Sequence, residues 1–268
     1  MTALRYWNIR INKNKNFWGL EIGLLIVLIH VGTVYLRVNP YLDGDQFVFT
    51  PYTQWLTFNT DPWTIGYYLG LPLLCGLSAS QLVGQDLQSG FFEQTVPHFG
   101  IKRYLFQTQL ISFFSGALTA SIPLIIDFLT LWCLLPVIQP DRIMNTNLPL
   151  LPATSFFANL YYSAPLQLVV IYISLAALIG GAYALFSTML AWYSTNLFVR
   201  MGTGFLLTML LNVLSGVFPE RIYSPVLLIM GNSPTFLLPF RKFMLAIALV
   251  FVLIMVGNYV GGYRHASR

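Results

Sequence analysis

Six long apolar runs alternate with short polar stretches along this chain, and the alternation sets the expected elements. The runs are Trp18 to Leu36, Trp63 to Val83, Tyr104 to Leu135, Leu166 to Tyr193, Leu197 to Phe218 and Phe243 to Tyr263. At about 1.5 Å of rise per residue, each is long enough to cross a hydrocarbon core of about 30 Å. The pattern predicts an all-α, polytopic membrane protein: six transmembrane helices in a single transmembrane domain over residues 1–268.

Between and before the runs, four stretches depart from simple connection. In residues 1–17, Leu4, Trp7 and Ile11 recur at helical spacing while Arg5, Asn8 and Asn12 line another face. That pattern reads as an amphipathic helix lying on the membrane surface, with a frayed basic tail as the competing reading. The following apolar run is too long for the core of a cleavable leader, so these residues are expected to stay on the protein. Residues 38 to 62 hold Asp43, Asp45 and Asp61 among Tyr41, Phe47, Phe49, Tyr52 and Trp55, a composition suited to an outer interfacial loop. A second outer loop is expected at 136 to 164, where Pro136, Pro140, Pro149 and Pro152 prevent a span. In 219–240, Pro219-Glu220-Arg221 ends a helix, and Val226 to Met230 is apolar but too short to cross. Short helices re-entering the outer leaflet fit that stretch, which a plain surface loop would leave in water.

Composition sharpens the class. Charged residues make up 9% of the chain and hydrophobic residues 56%, against roughly 25% charge in a soluble domain. The net charge of +5 comes from bases scattered at the ends of apolar runs rather than massed on one face, which argues against a nucleic-acid partner. Nine bases fall in segments assigned to the inside and five in those assigned outside. Both termini are accordingly expected in the cytoplasm, although Arg241 and Lys242 form a basic pair on the outer side. Cys75 and Cys133 lie in apolar runs and read as small hydrophobes. Gly66 and Gly70, four apart, and the Gly180-Gly181 pair mark sites of close helix packing or bending.

The most polar inner stretch is 84–103. It carries Asp86, Glu93, His98, Lys102 and Arg103, with Phe91 and Phe92 beside them. A short helix with an aromatic face is expected here, opened by Asp86 or Ser89, stopped at Pro97 and turned at Gly100. A solvated loop needs no such order, whereas a docking element for another protein needs a rigid knob that is part apolar and part acidic. Asp86, Phe91, Phe92, Glu93 and Pro97 are its candidate contact residues.

Of the polar residues inside apolar runs, Asp127, His30 and Asn212 are the candidate intramembrane contacts. An ionised carboxylate at such a depth costs several kcal/mol unless it is paired, protonated or wetted. Asp127 therefore reads either as a substrate, proton or gating contact in a cavity, or as an outer-leaflet carboxylate reaching interfacial water. Pro123, four residues earlier, is expected to kink the helix. His30 could pair with an intramembrane acid. No lysine follows a glycine, so no phosphate-cradling Gly-Lys-Ser/Thr loop exists and any ATP and Mg must sit on another chain. The histidines His30, His98 and His265 are too dispersed for a metal set, and the acids too few for an intramembrane catalytic dyad. No enzyme activity and no cofactor bound by this chain are expected.

The layout resembles the membrane subunits of ABC export systems, the type-2 permease family. The likeness rests on the amphipathic amino-terminal helix, the six spans and the inner stretch with Asp86, Ser89, Gly90, Glu93, Pro97, Lys102 and Arg103. Asn232-Ser233-Pro234 before the last span and the terminal Tyr263-Arg264 add to it. The segment Gly90 to Pro97 is shorter than is usual in that family, and Gln107 or Gln109 replaces a lysine often found early in the third span. The importer signature Glu-Ala-Ala is absent. The resemblance implies cytosolic ABC ATPase subunits held by a coupling helix, and a second permease chain in a homodimer or heterodimer. It also implies a multi-pass protein of a bacterial plasma membrane, surrounded by lipid. The implied function is export of a hydrophobic or amphipathic substrate: a peptide or bacteriocin first, then a drug or lipid-linked molecule. The rival reading is an ion-gradient-driven secondary transporter or channel that uses Asp127.

Overall fold

A computed structural model describes residues 18–41, 49–142, 150–219 and 221–267, and these form helices and turns with no strand. The interfacial helix expected over 1–17, with Asp43, Asp45 and Glu220, lies outside the described residues. Among the described residues, five helices are long and apolar enough to cross a membrane. They are α1 (Trp18–Val38), α6 (Ile101–Leu134), α8 (Pro165–Ala191), α9 (Leu197–Val217) and α11 (Phe240–Ala266).

The second predicted span is not one helix. Its residues form α3 (Pro62–Gly76), a 3-10 turn (Ala79–Gln81) and α4 (Leu82–Gln88). At 15 residues, α3 is about 22 Å long, short of a hydrocarbon core. The break has a local chemical cause. Ser78 Oγ donates to the Cys75 carbonyl at 2.6 Å, Ser80 Oγ to Gly76 at 2.9 Å, and Gln81 Nε2 also reaches Gly76. These side chains satisfy the carbonyls that a continuing helix would have used.

The centre of the bundle is the contact of α6 with α8. A Cβ on Gly116 would lie 2.6 Å from the Gly180 carbonyl oxygen, and one on Gly180 would lie 2.8 Å from that of Gly116. Two glycines therefore let the backbones touch. Ser112 and Thr188 hydrogen bond across the same seam at 2.6 Å. On α1 the buried residues Gly19, Gly23, Val27, His30, Val34 and Val38 recur every three or four positions, so one stripe faces α3 and α6. Helices α9 and α11 both pack on α8 and leave most of their surface outward.

The two ends of the bundle are built differently. At one end lie α2 (Pro51–Gln54), α7 (Ala158–Ser163) and α10 (Pro225–Leu228). The loops expected at 38 to 62 and 136 to 164 are not simple interfacial loops there. Thr50 to Phe58 are buried without exception, as are Leu150, Phe156, Tyr161 and most of 224–231. Backbone bonds interlock the three segments: Gly231 N–H to Thr57 O at 3.0 Å, Ser233 N–H to Thr154 O at 3.0 Å and Leu237 N–H to Ala153 O at 2.9 Å. This is the cap end. At the other, the elbow end, α4 is followed by α5 (Phe91–Phe99) and the start of α6.

Candidate functional site

Sequence placed the two chemically distinctive groups 97 positions apart, and the fold brings them together at the cap end. His30 Nδ1 and Asp127 Oδ1 are 2.7 Å apart, and both side chains are 0% exposed. With the carboxylate accepting, Nδ1 must carry the proton. The second oxygen, Oδ2, accepts from the Leu56 backbone N–H at 2.9 Å. One carboxylate thus joins α1, α6 and the cap segment. Next to it, Trp55 Nε1 donates to the Leu124 carbonyl at 3.0 Å and Tyr67 OH to Ala120 at 2.6 Å. Both carbonyls lie within three residues of Pro123, inside the continuous helix α6.

The expectation that Asp127 reaches interfacial water does not hold, because the cap covers it. His30 Nε2 has no hydrogen-bond partner among the described residues. Nor does the side chain of Asn212, on α9, which no hydrogen bond joins to His30 or Asp127. The outer face of the cap is pinned by Arg37, whose guanidinium donates to Asp61 Oδ1 at 2.9 Å and to Gln54 Oε1 at 2.8 Å. Inside it, Phe58 meets Tyr161 and Tyr172 edge to face, and burial pushes the phenols of Tyr52 and Tyr161 up.

The elbow end holds the predicted docking stretch. Helix α5 lies between Gly90 at φ 69° and Gly100 at φ 78°, two positive-φ positions that isolate it as a separate rod. It opens at Gly90 rather than at Asp86 or Ser89, and it runs through Pro97 instead of stopping there. Pro97 is exposed, so the Glu93 carbonyl deprived of its helical partner can turn to solvent. Phe92 is buried, edge-on to Tyr104 and Trp192 at about 5.3 and 5.4 Å between centroids. Phe91 is half-buried, while Glu93, Gln94, Pro97 and His98 face outward.

Asp86 corrects the sequence reading. It is fully buried and accepts a hydrogen bond from Tyr104 OH, so it holds α4 to α6 and presents no charge at the surface. Arg200, which in the sequence only marks the inner end of an apolar run, was not among the expected site residues. Its side chain is 3% exposed, and Nε and Nη1 have no acceptor among the described residues. A Cβ on Gly84 would fall 1.0 Å from Nη1, so the absence of a side chain at 84 makes the space for the guanidinium. The readable signal was an arginine just inside an apolar run and a glycine beside the polar stretch. Farther along, Trp192 Nε1 donates to Asn258 at 3.2 Å and His265 Nε2 lies 2.8 Å from the Trp192 carbonyl, joining α8 to α11. The described residues contain no cluster of three or more His, Cys, Asp or Glu, and Cys75 and Cys133 are free.

Comparison with protein-family models, with characterised proteins and with solved structures finds no match to this chain.

Proposed function

We propose that this chain is the membrane subunit of an ATP-driven exporter, with the elbow end in the cytoplasm and α5 as its contact with a separate ATPase. The observation that carries the reading is α5 itself. It is a short rod set off by two positive-φ glycines, fixed by Phe92 and presenting Glu93, Gln94, Pro97 and His98 to solvent. Lys102, Arg103 and Arg264 lie at the same end, which supports a cytoplasmic placement. In this reading α3 and α4 together act as the sixth crossing, and 219–240, which carries α10 of the cap, returns into the outer leaflet. Two such chains line the pathway, and ATP-driven closure of the ATPases moves the helices as rigid bodies. The substrate is hydrophobic or amphipathic. The rival, a gradient-driven transporter using Asp127, is less well supported because both carboxylate oxygens are engaged and covered.

The test is purification of the full chain from its native membrane in mild detergent. The expected result is a stoichiometric ATP-hydrolysing partner that carries a Gly-Lys-Ser/Thr loop and is lost on Glu93→Arg while the permease stays inserted. A Glu93→Arg chain that keeps the same partner would sink the docking role of α5. A wild-type chain that elutes alone and moves ions in vesicles, with loss on Asp127→Asn, would establish the rival.

A further inference from the structure

Helices α8, α9 and α11 leave a cavity of about 570 Å³ between them, closed toward the cap end by Tyr223, Pro225 and Leu228. Both α9 and α11 rest on α8, but they scarcely touch each other, and the cavity is the gap between them. Its floor is recessed: Ile179, Thr208 and Phe243 line it and are each 3% exposed or less. Its rim is not. Leu207, Val250 and Leu253 line the cavity and also stand 46%, 50% and 60% exposed on the outer faces of two membrane-length helices.

The mouth therefore opens sideways, onto the surface that hydrocarbon would cover. The lining runs along α11 from Phe243 to Ile254, about 16 Å, close to half of a hydrocarbon core of about 30 Å. Its polar groups are already satisfied. Tyr183 OH and Thr208 Oγ1 are 2.7 Å apart, and Thr208 Oγ1 also donates to the Gly204 carbonyl at 2.8 Å. Nothing in the wall asks for a polar or charged ligand. A space of this size left empty would strip its lining of dispersion contacts, and apolar walls do not hold water well.

We infer that this cavity is a binding slot for one lipid acyl chain, entered from the bilayer between α9 and α11. A helix of a second copy laid against the rim would meet Leu207, Val250 and Leu253 but not the recessed floor, whereas a flexible hydrocarbon chain reaches it. The site goes beyond the transport reading above and stands without it.

The experiment reconstitutes the full chain in phosphatidylcholine vesicles containing a phosphatidylcholine with a diazirine midway along one acyl chain. After irradiation, the labelled residues are mapped by mass spectrometry. Adducts are expected on the floor, at Ile179, Tyr183 and Thr208, as well as on outward residues such as Leu28 and Leu118. Ala246→Phe, which fills the cavity from α11, should lower floor labelling by about tenfold and leave Leu28 and Leu118 unchanged. Ala182→Leu fills it from α8 and should do the same if the first variant fails to insert. Labelling of wild-type chain confined to outward faces would overturn the inference. So would floor labelling that neither filling variant reduces, or a Leu207→Cys chain that forms disulfide-linked dimers while its floor stays unlabelled.

Discussion

Each end of this bundle buries an aspartate, and the two are used in opposite ways. Asp127 is gripped by His30 and by the Leu56 N–H, so that a segment outside the spans is drawn into the core. Asp86 is held by Tyr104 and stiffens an elbow from which α5 projects with an exposed face. The cap end puts its polar groups to work on its own backbone; the elbow end secures its apolar residues and leaves Glu93 and His98 outward. The difference teaches where change is tolerated. One end is closed over by its own chain, while the other is a rigid platform with a free side.

Breaking the carboxylate at the cap should have the largest effect. Asp127→Ala leaves both His30 and the Leu56 N–H without their acceptor, and each buried donor left unsatisfied costs about 1–3 kcal/mol. Thermal unfolding in detergent should show that loss, with new protease cleavage in 49–61 and none near α5. Equal exposure of both ends would erase the contrast between them.

At the elbow, Gly84→Leu drives a side chain into the Arg200 guanidinium and should destabilise by about 1–3 kcal/mol, the usual range for overpacking. The double variant Gly84→Leu with Arg200→Ala should recover part of that loss. No recovery in a double-mutant cycle would show that Gly84 matters for another reason.

A smaller change sharpens the comparison at the cap. Trp55→Phe keeps the ring but removes the donor to the Leu124 carbonyl, and should cost about 1 kcal/mol. Cleavage in 49–61 should rise modestly while the elbow is unaffected. Last, Glu93→Arg on the exposed face of α5 should alter stability by less than about 0.5 kcal/mol, whatever it does to a partner. A large destabilisation by this variant would mean that α5 is a structural strut rather than a free face.

Helix identity was largely legible along the chain. The five long helices begin and end within a few residues of the apolar runs, because hydropathy is a local sum and a membrane-length helix satisfies its own backbone. The second run misled because Ser78, Ser80 and Gln81 read as ordinary polar residues until their reach to Cys75 and Gly76 is seen. Gly100 was a fair guide to the end of α5, but Asp86 and Ser89 misplaced its start and Pro97 did not stop it, since the cost of a proline depends on whether the carbonyl it strands meets solvent.

Local pattern along the chain therefore specifies the helical class, the apolar runs and the isolation of a few polar groups within them. Tertiary structure alone decided that Asp127 meets His30, that Asp86 faces inward, that Gly84 shelters Arg200 and that Thr50 to Phe58 belong to the core. Periodicity and hydropathy are properties of neighbours along the chain. Which buried donor meets which buried acceptor depends instead on the faces that distant helices turn to one another.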